Sequence, residues 1–298
     1  YVGYMKDGKI VDTLFDGFLF LPFVAFLYQG YKKKPLDKSQ WQYYMDTQFL
    51  PGKNLDALEE AAEQVKQALG LPELKLKVFF SILYPVVEQR AFGEIDGKMR
   101  DFTVLEDRIA ALKWLVDEQE RRFCEKKYKN LQLSGYYWFT EEIDYEDSQL
   151  LEMIRSKKMI TTWIPYYLAS GYNDWRRLGF DMACYQPNYA FRQDIPEERL
   201  YDAADTAKLL GMCIELEIGG LERWNVEHTR NYYAVGAQTR YMQDAAHMYY
   251  LGGLKDVMLR SCHSEDPYFR SMYDDTYRFI KGTYPPDALG EPAQVKPQ

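Results

Sequence analysis

The feature that most constrains this chain is an alternation along its whole length, in which short apolar runs of strand length are separated by longer amphipathic stretches. The runs are Phe15-Leu21, Leu76-Tyr84, Leu131-Thr140, Met159-Tyr166, Phe180-Pro187, Met212-Ile218 and Asp256-Cys262, each rich in β-branched or aromatic residues. Among the stretches between them, Leu55, Leu58, Ala62, Val65 and Leu69 recur at helical spacing, with Asn54 as a candidate N-cap and Gly70 as the stop. Residues 102–128 and 226–251 read as long helices. Pro196 to Leu210 opens with Pro-Glu-Glu and ends before Gly211, the asymmetry expected of helix ends. Strands joined through helices pair in parallel, in a doubly wound sheet or a barrel. No GxGxxG or GxxxxGK[ST] turn follows any run, and polar residues gather after the runs throughout rather than at one switch point. The expected fold is therefore α/β, a (β/α)8 TIM barrel. Seven of its strands are visible, and the first is either truncated in Tyr1-Val2-Gly3-Tyr4 or lies upstream of residue 1. Residues 1–284 are expected to form a single β/α-barrel domain, with 285–298 as an irregular C-terminal tail.

Charge and composition narrow what such a scaffold does. With 37 basic and 45 acidic residues the net charge is −8, which repels phosphate backbones and argues against a nucleic-acid partner. The basic run Lys32-Lys33-Lys34 reads as a solvated loop tip. The longest apolar candidate, Phe15 to Leu27, is broken by Asp16, Gly17 and Pro22, so no membrane-spanning segment is expected. The four cysteines lack a CxxC pair and read as free buried thiols. The three histidines form no HxH or HExxH, so neither a metal nor another cofactor is expected. The one metal-binding alternative is His263 with Glu265 or Asp266. No signal peptide is visible, and because the chain opens at Tyr1 rather than at methionine any such signal is out of view; the protein is expected to be exported (periplasmic, cell-surface or secreted).

In a barrel of this kind the chemistry gathers at the C-terminal ends of the strands. The strand expected to be seventh reads Met212-Cys213-Ile214-Glu215-Leu216-Glu217-Ile218, and alternation sends its aliphatic side chains one way and Cys213, Glu215 and Glu217 the other. Buried carboxylates are costly unless paired, so Glu215 and Glu217 are either salt-bridged, with Arg260 the nearest suggestion, or catalytic. The fourth strand ends in Tyr136-Tyr137-Trp138-Phe139-Thr140-Glu141-Glu142 and supplies a second carboxyl, Glu141 ahead of Glu142; alternatively these residues lead into an acidic first helical turn with Asp144, Glu146 and Asp147. Two carboxyls flanking a bond are what glycoside hydrolysis requires. Of the residues, 16% are aromatic, 26 of them tyrosines; most belong in a core, yet Trp138, Trp163, Tyr166, Tyr185 and Tyr189 all follow strands and would serve as sugar platforms. Gln186 and Asn188 would reach sugar hydroxyls. The expected activity is glycoside hydrolysis of a poly- or oligosaccharide, with a non-catalytic carbohydrate-binding barrel as the alternative.

The motifs FDGFLFLP, GYYWFTEE, WIPYY, GFD followed by YQPNYAF, and GMCIELEI resemble the bacterial domain-of-unknown-function 4855 family. The layout is also similar to (β/α)8-barrel retaining glycosidases with glutamates after strands four and seven. That resemblance implies Glu141 as acid/base and Glu217 as nucleophile with Glu215 beside it, although Thr140 stands where those enzymes carry asparagine.

Overall fold

The computed structural model describes residues 1–22, 34–143, 148–253 and 256–287. The chain divides into two compact units, Val2–Ala183 and Cys184 onward, the latter with Tyr1.

The Val2–Ala183 unit opens with an antiparallel hairpin of β1 (Gly3–Lys6) and β2 (Lys9–Thr13). Strand β3 (Gly17–Phe20) follows, then α1 (Lys38–Gln48), α2 (Leu55–Leu69) and β4 (Leu76–Ile82). A short hairpin, β5 (Glu94–Ile95) and β6 (Lys98–Met99), precedes α3 (Leu105–Lys126) and β7 (Leu131–Trp138). After α4 (Ser148–Ser156) come β8 (Ile160–Trp163), a 3-10 turn at Tyr172–Asp174 and β9 (Met182–Tyr185). Aromatics fill this unit's interior: Trp41 meets Phe92 edge-on at 4.7 Å, and Phe92 stacks on Phe102 at 4.7 Å.

The Cys184 unit continues with α5 (Glu198–Leu210), β10 (Cys213–Glu217), α6 (Arg223–Thr239), α7 (Tyr241–Asp244), β11 (His247–Tyr250), α8 (Val257–Cys262) and α9 (Pro267–Ile280). Here α6 packs on α9 through Tyr233, whose ring stacks on Phe279 at 4.8 Å and whose hydroxyl shares a 2.7 Å hydrogen bond with Thr276.

The expected eight-strand barrel is not what this chain forms. Its parallel strands make one seven-strand sheet in the order β11-β10-β9-β8-β7-β4-β3, and among the described residues no pairing joins β3 to β11. Two local readings account for the difference. Tyr1 to Tyr4 is not a barrel strand, because Gly3 and Tyr4 pair with Thr13 and Asp12 in the separate hairpin. Asp256-Cys262, expected as a strand, forms α8, and the last strand, His247–Tyr250, falls inside the stretch read as one helix. Short apolar runs carry too few residues for period to separate strand from buried helix. Helix α6 stops early because Arg240 adopts a left-handed φ of 71°.

Other expectations fare variously. Gly70 and Gly211 end their helices at φ of 66° and 65°, a conformation that costs a residue without Cβ little. Asn54 stands at the N-cap position of α2, as expected, but makes no side-chain cap bond: its φ is 49°, and its side chain donates to the Thr47 carbonyl. Among the described residues no helix is long and apolar enough to cross a membrane. Lys32 and Lys33, the Phe23–Leu27 end of the apolar candidate, the acidic residues 144–147, and the tail from residue 288 lie outside the described residues.

Candidate active site around Glu217

Strand β10 is buried on both faces, as a central strand of a parallel sheet must be. Ile214 and Leu216 are 1% exposed, Glu215 is 7% and Glu217 is 0%. A carboxyl so placed needs partners, and Glu217 has them. Gln186 Nε2 donates to Oε1 at 3.1 Å. The Tyr189 amide donates to Oε2 at 3.2 Å, and the Tyr232 hydroxyl donates to the same oxygen. The amide of Asn188 adds a further donor. Asn188 sits at φ 53°, and this left-handed residue lets successive amides converge on one anion. Burial pushes the Glu217 carboxyl above its ordinary range, against the opposing effect of the Tyr232, Gln186 and backbone hydrogen bonds. Among the described residues its donors are all neutral, and Arg260 is exposed on α8.

Helix α6 completes this surrounding. Tyr232 is wholly buried, and Glu217 and burial together hold its phenol far above its usual pKa. One turn earlier, His228 stacks on the Tyr189 ring at 4.2 Å, and its Nδ1 lies 3.1 Å from the Tyr189 carbonyl. Burial lowers its pKa, so the ring is neutral near pH 7. A carbonyl only accepts, hence Nδ1 carries the proton and Nε2 presents a lone pair. Trp224 meets His228 edge-on at 5.3 Å, and Asn231 Nδ2 donates to the Tyr189 hydroxyl at 2.8 Å. Sequence reasoning missed these α6 residues. The signal was present, since Trp224, His228 and Tyr232 stand four residues apart on one helical face just after the strand that carries Glu217.

At the end of β7, in the other unit, Glu141 and Glu142 are both partly exposed. Glu142 accepts a hydrogen bond from the Tyr166 hydroxyl, which together with burial moves that phenol up to about 12. Thr140 fixes the approach to both glutamates: its carbonyl accepts from Trp163 Nε1 at 2.9 Å, and its hydroxyl donates to the Glu142 carbonyl at 3.2 Å.

The expected aromatic platforms divide by burial. Tyr166 is partly exposed, as are Gln186 and Asn188. Trp138, Trp163, Tyr185 and Tyr189 are at most 3% exposed and pack as interior side chains, with Tyr84 edge-on to Trp138 and Phe180 stacked on Trp163 at 5.2 Å. Trp138 Nε1 is buried with no acceptor among the described residues. His263 ends α8, and the Asp266 carboxylate caps α9 by accepting from the Tyr268 amide at 2.9 Å. Among the described residues no three His, Cys, Asp or Glu side chains gather as a metal ion would need.

No curated protein matches the chain. Residues 1–278, carrying Glu141, Glu142, Glu215 and Glu217 with the Gln186–Tyr189 loop, match the family described as Domain of unknown function (DUF4855), and the chain belongs to that family.

Proposed function

We propose that this chain is a glycoside hydrolase acting on a poly- or oligosaccharide, in which Glu217 is the nucleophile. The observation that carries this reading is the Glu217 carboxyl itself, buried and aimed by neutral donors. Oε2 takes the Tyr189 and Tyr232 bonds, and Oε1 takes the one from the partly exposed Gln186. Oε1, on the side of the partly exposed Gln186, is the oxygen that attacks an anomeric carbon. In that reaction its lone pair forms the glycosyl ester while an acid/base carboxyl protonates the departing oxygen; water, deprotonated by that same acid/base, then releases the sugar. Neutral His228 offers Nε2 as an acceptor for a sugar hydroxyl. The same reading takes the protein to be exported, where polysaccharides are met.

The test is sugar release across a panel of polysaccharides and their oligosaccharides. Glu217→Gln is expected to lose at least about 10³-fold in kcat on any substrate the native chain cleaves. Because only ionised Glu217 attacks, kcat/KM falls on the acid side with an apparent pKa above the ordinary glutamate value of about 4.3. A second reading, a non-catalytic carbohydrate-binding protein, is favoured by the complete burial of Glu217. It stands instead if native chain and Glu217→Gln bind the same glycan equally and neither releases sugar.

A further inference from the structure

A second chemistry-bearing pair lies in the Cys184 unit, away from any role assigned above. Cys184 on β9 and Cys213 on β10 are register partners on adjacent parallel strands. Strands so paired run about 4.7–4.9 Å apart, inside the Cα separation of roughly 4.4–6.8 Å that a disulfide spans. Register partners of a parallel ladder also present their side chains on the same face. Both cysteines are thiols here, and the Cys184 thiol hydrogen-bonds to the Cys213 sulfur. Their surroundings differ. Cys184 is 0% exposed, and burial raises its pKa. Cys213 is partly exposed, and the bonds from Cys184 and from the Ala246 amide lower its pKa. Glu215, two residues beyond Cys213, faces Cys184 and adds to the raising there.

We propose that Cys184 and Cys213 are an oxidation site at which a hydroperoxide joins the two sulfurs as a cross-strand disulfide. Cys213 thiolate attacks the outer peroxide oxygen, the O–O bond breaks, and the departing alkoxide or hydroxide takes a proton, leaving Cys213 as a sulfenic acid. Cys184, losing its proton, then attacks the Cys213 sulfur and expels water. Two thiols are oxidised by two electrons and one hydroperoxide is reduced to an alcohol or water. The division of labour follows from access, since the nucleophile that meets the oxidant is the partly exposed, more acidic sulfur and the resolving thiol is the buried one beside it. The bond ties the strand leading to Gln186 to the strand bearing Glu217. The proposal does not depend on the glycosidase reading.

Peptide mass spectrometry tests it directly on the native full chain treated with hydrogen peroxide, then denatured and alkylated without reductant. The expected product is a cross-linked pair of peptides containing Cys184 and Cys213, lighter by two hydrogens, with Cys124 and Cys262 alkylated. In Cys184→Ser, dimedone is expected to label Cys213. Full alkylation of Cys184 and Cys213 after peroxide, or linkage of either to another cysteine, overturns the proposal. Sulfinic Cys213 beside an alkylated Cys184 overturns it equally, because it shows that the buried thiol does not resolve the intermediate.

Discussion

A buried carboxyl held by four neutral donors is poised between two protonation states, and Glu217 is that group. Its donors favour the charge while its burial opposes it, and burial prevails. The folded chain therefore binds a proton at this position more tightly than the unfolded chain does. The sign of the linkage follows: the contribution of Glu217 to stability is full below the unfolded glutamate pKa of about 4.3 and is lost as pH rises through the elevated folded value. Glu217→Gln removes this slope. The new amide oxygen still accepts from Tyr232 and the Tyr189 amide, and its NH₂ donates to Gln186 once that amide turns over. Glu217→Ala instead strands a buried phenol and buried amides, at a cost of about 2–4 kcal/mol. Urea unfolding of the three proteins between pH 4 and 8 checks both statements; an unchanged pH slope in Glu217→Gln would refute the raised pKa. Part of this site was legible beforehand. Strand alternation singled out Glu215 and Glu217, and Gln186 stood at the end of the neighbouring run. Tyr232, His228 and Trp224 were not picked out, because aromatics at helical spacing are indistinguishable from a core stripe until their partner is known.

Among the elements, the close approach of β7 and β8 is the one most sensitive to a single atom. Phe79 pairs with Gly135 while Val78 pairs with Leu133, so Ser134 is an extra residue bulged out of β7. Just past this bulge, a Cβ on Gly135 would lie 2.2 Å from the Ile160 carbonyl oxygen. That neighbour is backbone, with no rotamer to yield. Gly135→Ala is expected to cost about 2–4 kcal/mol, seen as a lowered denaturation midpoint. It should also disturb Trp163, whose indole is bonded to Thr140 just before Glu141. Thermal melts with tryptophan emission read both effects, and a melt equal to that of the native chain removes the packing argument. The elements that were legible share a property with β7. Long apolar runs such as those of β4, β7 and β10 are flanked by polar turns, and α2, α3 and α5 carry sustained helical periods. Strand β11 has four residues and α8 has six, too few for their pairing partners to be read from local pattern. Tertiary context decided both.

On the scale of the whole molecule, the open sheet differs from a closed barrel in where backbone amides are protected. A barrel has no edge, so all its strands exchange hydrogen slowly together. In the observed order β7 and β8 are bonded on both sides, whereas β3 and β11 end the sheet among the described residues. Alternate amides of an edge strand point away from its only neighbour and open without disrupting the ladder. Hydrogen exchange resolved by residue is therefore expected to run at least about tenfold faster at the outward amides of Gly17–Phe20 and His247–Tyr250 than in Leu131–Trp138. Equal protection across all these strands would mean that something covers both edges in solution, and the open-sheet architecture would have to be abandoned. The same measurement bears on why the barrel expectation failed. Alternating strands and helices establish that neighbours pair in parallel, but closure depends on whether the first and last strands find each other. That is a property of strand count and stagger with no local signature. Here Gly3 and Tyr4, part of the Tyr1–Tyr4 stretch that was one candidate for the first strand, pair antiparallel with Thr13 and Asp12 across a turn at Asp7-Gly8, both at positive φ. A two-residue Asp-Gly turn of this kind favours a tight hairpin, so the N-terminal residues meet their nearest neighbour in sequence before any distant edge.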